Sequence, residues 1–173
     1  MNRFKAITLA MLLSVHTGLA SAADEDGKFA VKGAGKRLCS NFLLAAEQKS
    51  TDYYLYGGWL EGYISAYNRF QPENYDATPW QTTELLLALL QQDCENGKDR
   101  HFLTVTNGLL KALFPIRLPA ESALVAIDVN DAKSYFYVEI LKRAKQRLRK
   151  MDYLKDMGSS DFDQSTLDAF KHF

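Results

Sequence analysis

Two cysteines constrain this chain more than any other feature: Cys39 and Cys94 are its only ones, and they stand behind a leader built for export. Arg3 and Lys5 precede a mostly apolar stretch from Ala6 to Ala20, and Ala20-Ser21-Ala22 supplies the small-x-small pattern that signal peptidase accepts. Residues 1–22 therefore read as a cleavable signal peptide, and the expected location is periplasmic. A retained anchor is the competing reading, but His16, Thr17 and Gly18 break the apolar run short of the ~20 residues that span a bilayer. No Cys follows the small residues, which argues against a lipid-anchored form. In an oxidising compartment two thiols that a fold brings together pair, so a Cys39–Cys94 disulfide is expected. A loop of that length is worth about 4 kcal/mol in the chain-entropy account. Two free thiols or a metal pair are the alternative, disfavoured because Cys and His never cluster at ligand spacing.

Loss of the leader removes Arg3 and Lys5 and no acid, which leaves the remainder slightly acidic and gives no basis for a nucleic-acid partner. The length fits one domain, or a small domain with an appended module. Residues 23–36 combine charge and Gly without periodicity, the composition of a flexible leader, so packing is expected to begin near Arg37.

Helical spacing then dominates. Leu38, Phe42, Leu43, Ala45 and Ala46 predict a short helix to about Lys49. Tyr56, Trp59, Leu60, Tyr63, Ile64, Tyr67 and Phe70, at steps of three and four, draw an aromatic stripe along a second helix that Pro72 ends. Such a stripe is core first and ligand groove second; as a groove, Trp59, Tyr63 and Tyr67, with Trp80, are the candidate binding surface. Gly57, Gly58 and Gly62 each cost about 1 kcal/mol of helix propensity, for which close approach of a neighbouring helix would compensate. Thr78-Pro79-Trp80-Gln81 reads as the next helix start, with Thr78 as N-cap and Gln81 closing a capping box. That helix runs through Leu85–Leu90 to Cys94, with Gly97 as a left-handed stop. The disulfide would join the start of the first helix to the end of the third, an up-and-down arrangement. A fourth helix is predicted from about Asp99 to Phe114, where Pro115 ends it.

Two prolines and the alternation Val125, Ile127, Val129 make the stretch up to Asn130 an extended connector or one short strand, and the place for a module boundary. Beyond Asn130-Asp131 a long helix is predicted through Tyr137, Leu141, Ala144, Leu148 and Met151. Its other face carries Lys142, Arg143, Lys145, Arg147, Arg149 and Lys150, either a solvated face or one drawn to anionic lipid or wall polymer. A Gly158-Ser159-Ser160-Asp161 loop and a short helix from about Gln164, capped by Asp163 or Ser165, complete the chain. The expected fold is all-α: signal peptide 1–22, leader 23–36, a small disulfide-linked helical bundle over 37–115, connector 116–130, and a two-helix module over 131–173.

Of the histidines, only His101 and His172 follow the leader, and neither has a nucleophile or carboxylate at an informative spacing. With no phosphate-binding Gly loop and no metal motif either, neither catalysis nor a cofactor is expected. Glu61, between Trp59 and Tyr63, is the one carboxylate placed for a raised pKa, though it reads first as the polar side of an amphipathic helix.

Leu38-Cys39-Ser40-Asn41-Phe42-Leu43 ahead of a Trp/Tyr-bearing helix, then Cys94 followed by an amphipathic helix, resembles the periplasmic HdeA/HdeB acid-stress chaperones. That resemblance implies a non-enzymatic protein that binds protein clients; members of that family are shorter and lack the C-terminal extension. Tyr56-Gly57-Gly58-Trp59-Leu60-Glu61-Gly62-Tyr63 is also similar to the Rap1a/Tai type of periplasmic immunity protein, which implies a single envelope toxin or enzyme as partner. In the tail, Ala144-Lys145-Gln146-Arg147-Leu148-Arg149-Lys150-Met151-Asp152-Tyr153, followed by Phe162, Thr166, Ala169, Phe170 and Phe173, is similar to the first half of a peptidoglycan-binding domain. By that likeness Tyr153, Phe162, Thr166 and Phe170 form a candidate wall-binding tail. Asp152 and Asp163 stand where that family has Gly, and Ser159-Ser160 where it has an Asp-Gly turn. A two-helix cap packed on the first domain is the competing reading.

Overall fold

The first helix has no side-chain cap, and what replaces it organises the molecule. This computed structural model describes residues 24–129, 132–155 and 163–172; the predicted signal peptide, Asn130 and Asp131, the predicted 158–161 loop, Phe162 and Phe173 lie outside the described residues. Helix α1 (Cys39–Gln48) opens at Leu38 without a capping hydroxyl. Instead Cys39 N–H donates to the Arg100 carbonyl at 2.8 Å and Ser40 N–H to that of Lys98 at 2.9 Å, while Phe102 N–H donates to Arg37 at 2.9 Å. Orphan donors at a helix start must find some acceptor, and here the neighbouring loop supplies it. The Cys39–Cys94 disulfide forms beside this ladder, with Cα atoms 5.1 Å apart and both cysteines fully buried. A disulfide of this kind belongs to an oxidising, exported environment.

Helices α2 (Thr51–Phe70), α3 (Thr83–Glu95) and α4 (Phe102–Leu113) follow. Phe42 of α1, Tyr56 of α2 and Phe102 of α4 meet as three tilted rings with centroids 4.9, 4.8 and 4.7 Å apart. Offset and edge-on geometry favours such rings over a face-to-face sandwich. Leu60, Ile64, Leu86, Leu87, Leu90, Val105 and Leu110 extend the core around them. The helical stripe is therefore core at Tyr56, Leu60 and Ile64, half-buried at Trp59, Tyr63 and Tyr67, and exposed at Phe70.

Several expectations are corrected. The third helix starts at Thr83, not after Thr78: the Thr82 hydroxyl accepts from Leu85 N–H at 3.2 Å and is the N-cap. Residues ahead of it are held irregular by competing acceptors, since Asn68 Oδ1 takes Ala77 N–H, Asp76 Oδ1 takes Thr78 N–H, and Asp76 pairs with Leu118 as an isolated bridge. Gly97 is not left-handed; the helix ends through Asn96, and Gly97 is small because the Arg100 guanidinium folds back against it towards Asp93. Gly58 and Gly62 face open space, and Gly57 makes ordinary contact with Leu87 and Thr83, so close helix approach does not explain them. Nothing in the structure explains Gly58 or Gly62.

Nor is the chain all-α; it is mostly helical with one small sheet. Leu124–Val129 forms β1 and Ala132–Tyr137 forms β2, an antiparallel pair in the register Leu124↔Tyr137 to Val129↔Ala132. The predicted connector supplies β1, and the first residues assigned to the last long helix supply β2. Helix α5 (Val138–Lys150) begins only after Tyr137, and α6 (Gln164–His172) packs on it through Leu148, Leu154 and Ala169. Tyr137 rests edge-on against Tyr75 at 6.1 Å, and burial, reinforced by the nearby Asp76 charge, pushes its hydroxyl pKa up to about 12. The described residues from Val31 onward belong to one compact unit.

Replacing both cysteines by Ala is expected to lower unfolding free energy by about 4 kcal/mol, read from urea denaturation against the oxidised protein. Gly58→Ala and Gly62→Ala, at open helical positions, are each expected to raise it by up to ~1 kcal/mol on the same measurement.

Candidate functional site

The four residues proposed as one binding surface occupy two places. On α2, Trp59 stacks on Tyr63 with centroids 5.0 Å apart and planes 9° from parallel, and its edge meets Phe102 at 5.7 Å. Tyr63 donates its hydroxyl hydrogen to Asn107 Oδ1 at 2.7 Å, and burial raises its pKa. Tyr67 continues this half-buried row. Trp80 belongs elsewhere, to the irregular stretch before α3.

The Trp59 pair is not an open surface. Residues 31–36, expected to be part of a flexible leader, form a strap across it that includes a 3-10 turn, Gly33–Lys36, with Ala34 and Gly35 buried. Trp59 Nε1 donates to the Lys32 carbonyl at 2.8 Å. Gly33 adopts φ +59°, and Gly35 lies flat on the indole, where a Cβ would collide with ring atoms. Two further contacts hold the strap's end. Arg37 donates to Asp52 Oδ2 at 2.6 Å, which raises the guanidinium pKa further, and it lies over the Tyr56 ring at 6.0 Å. His101 Nδ1 lies 2.9 Å from the Lys36 carbonyl, and because a carbonyl can only accept, Nδ1 carries the proton. Inside the tie the Tyr56 hydroxyl is buried without a hydrogen-bond partner, and desolvation raises its pKa. The Gly33-x-Gly35 spacing ahead of Cys39 was the available signal for the strap; its target on α2 was not.

Trp80, 49% exposed, forms one wall of an apolar groove of about 490 Å³ with Pro115, Ile116, Ile140, Arg143 and Ala144. Arg143 shapes its floor: NH1 donates to the carbonyls of Ile116 at 2.9 Å and Arg117 at 3.0 Å, and Nε donates to Glu139 at 3.2 Å. Arg117 in turn donates to the Glu73 and Phe114 carbonyls. The predicted solvated face of α5 is thus corrected at two positions: Arg143 turns inward, and Lys145 is 2% exposed. A second, polar cleft of about 230 Å³ lies between Asn41, Gln48, Ser50 and the Arg37–Asp52 pair.

In the tail, Tyr153 and Phe170 are partly exposed, but Thr166 is fully buried. Asp163 Oδ1 accepts from the Thr166 hydroxyl at 2.7 Å, its N–H at 2.9 Å and the Ser165 hydroxyl at 2.8 Å, which makes Asp163 the N-cap of α6. Those bonds, with help from Lys145, hold the Asp163 carboxyl well below the usual carboxylate range. Thr166 is thereby occupied by helix capping. Glu61 is likewise engaged, accepting from the Thr83 hydroxyl at 2.6 Å and tying α2 to the start of α3. Among the described residues no three His, Cys, Asp or Glu side chains converge to hold a metal ion, and no helix is long and apolar enough to cross a membrane. No protein-family model matches this chain, and no curated protein or solved structure is similar to it.

Gly35→Ala is expected to push the strap off the indole and lower stability by about 1 to 3 kcal/mol, the range for inserting a carbon into a packed contact. A red shift of Trp59 emission in a Trp80→Phe background reports the displacement directly.

Proposed function

We propose that this chain is a non-enzymatic binding protein of the periplasm that engages other proteins through apolar surface released by acid, in the manner of the HdeA-type chaperones it resembles. The observation that carries this reading is the strap: the Trp59 indole, stacked on Tyr63 and edge-on to Phe102, is covered by residues 31–36, and the next residue, Arg37, is tied to the body through a carboxylate, Asp52, at 2.6 Å. Two carboxylates at helix starts are held by hydrogen bonds that acid weakens. Glu84 is held low by hydrogen bonds from its own backbone N–H and Thr82, and Asp163 by Thr166 and Ser165. A carboxylate with a lowered folded pKa stabilises the fold at neutral pH, and that contribution is lost as pH falls through the lowered value. On this reading acid loosens the starts of α3 and α6 and with them the cover on α2, while the disulfide, which does not titrate, keeps α1 and α3 together.

At about pH 2 to 3, below the ordinary carboxylate range, the protein in excess is expected to suppress aggregation of an acid-denatured client, measured by light scattering. Asp52→Asn is expected to move part of that activity to neutral pH. No suppression at any ratio removes the chaperone reading. A second reading, stoichiometric binding of one envelope toxin or enzyme, rests on the Trp80 groove, which is open without acid. Loss of a single neutral-pH partner on Trp80→Ala, with acid behaviour unchanged, is the outcome that favours it.

A further inference from the structure

We propose that the outward face of α5, with the turn that follows it, is a docking surface for an anionic phospholipid bilayer. Residues 140–155 carry seven cations against one acid, Asp152, in a chain whose formal net charge is zero. Arg143 and Lys145 are turned into the fold. The other five, Lys142, Arg147, Arg149, Lys150 and Lys155, are exposed and make no ion pair among the described residues. Leu141, Lys145 and Leu148 define the inward line of α5. At about 100° per residue, Lys142 and Arg149 share a line about a quarter-turn from it, Lys150 lies opposite it, and Arg147 lies beyond Arg143 on the groove side. Lys142, Arg149 and Lys150 therefore share the side turned away from the body, and Arg147 borders it.

Helix-end electrostatics accounts for only part of this. Cations in a last turn complement the negative end of the macrodipole, an effect that fades within a turn. Lys142 stands two turns before the end and Lys155 lies past it. Self-neutralisation on the helix is also absent, because its one acid, Glu139, is already paired with Arg143 at 3.2 Å. The surface is left charged, and its complement is a surface of opposite sign.

A bilayer fits better than a soluble polyanion because aromatic rings accompany the charge. Tyr153, 43% exposed, follows the helix directly, its N–H donating to the Leu148 carbonyl at 3.0 Å. Phe170, 39% exposed, is carried by α6 beside Ala169, which packs on Leu148 and Leu154. Partly exposed rings on the elements adjoining a basic helix are what the headgroup region of an anionic leaflet accommodates, whereas a phosphate polymer offers charge alone.

The test is co-sedimentation of the disulfide-bonded protein with vesicles of phosphatidylcholine alone or with about a third phosphatidylglycerol. Binding is expected only to the anionic vesicles and is expected to fall steeply as salt is raised from about 0.05 to 0.5 M. Each of Lys142→Gln, Arg147→Gln, Arg149→Gln and Lys150→Gln is expected to weaken it roughly fivefold, and the quadruple variant more than a hundredfold, with the urea midpoint unchanged because all four side chains are exposed. Tyr153→Ala with Phe170→Ala is expected to weaken vesicle binding but not retention on inorganic polyphosphate. Equal binding to neutral vesicles, no binding to either, or polyphosphate retention as tight as vesicle binding and insensitive to salt-matched competition by phosphatidylglycerol overturns the proposal.

Discussion

Most of this fold depends on one seam, where residues 37–40 run against residues 94–102. Three backbone hydrogen bonds and the buried disulfide meet there. The seam does several jobs at once: it satisfies the orphan donors of α1, sets where α4 begins, and brings Phe42 and Phe102 within 4.8 Å. Because the covalent link joins α1 to the end of α3, the ring cluster forms between elements whose separation in the unfolded chain is already limited. That is the sense in which a core of this modest size can be stable.

Helix α2 shows how one periodic stripe divides into structure and surface. Tyr56, Leu60 and Ile64 point to the centre and are fixed by it. Trp59 and Tyr63, one position round, reach only the rim, and the indole is completed from outside by Lys32, Ala34 and Gly35. A rim aromatic covered by a glycine-bearing strap is thus completed by residues outside the four helices, and Ala34 joins that cover to the core cluster.

What could be read from the sequence follows the same division. Helices α1, α2 and α4 and the Cys39–Cys94 pair were legible because periodicity and export chemistry are local signals. The start of α3 was not: Thr78-Pro79 is a sound opening by local rules, yet Asn68, fifteen residues before the true start at Thr83, takes the Ala77 N–H, and Leu118 holds Asp76. Tertiary acceptors outrank a capping box. The β-hairpin was half legible, since β1 alternates while β2, Ala-Lys-Ser-Tyr-Phe-Tyr, runs directly into α5 and lends Tyr137 to the helical pattern. For the binding residues, Trp59 and Trp80 were singled out by type, but nothing local shows that one is strapped and the other faces a groove.

The arginines and lysines sort by chemistry in a way that bears on both functional readings. Arg37, Arg117 and Arg143 each bridge elements distant in sequence, Arg37 through a carboxylate and the other two by donating to carbonyl oxygens. A guanidinium suits that work because its fork satisfies several acceptors and it does not lose its charge. Carbonyl contacts do not depend on a carboxylate's charge, so the Arg117 and Arg143 staples beneath the Trp80 groove differ in kind from the Arg37–Asp52 tie at the strap. A groove held by neutral acceptors and a strap tied through an ion pair therefore stand on different chemistry within one fold.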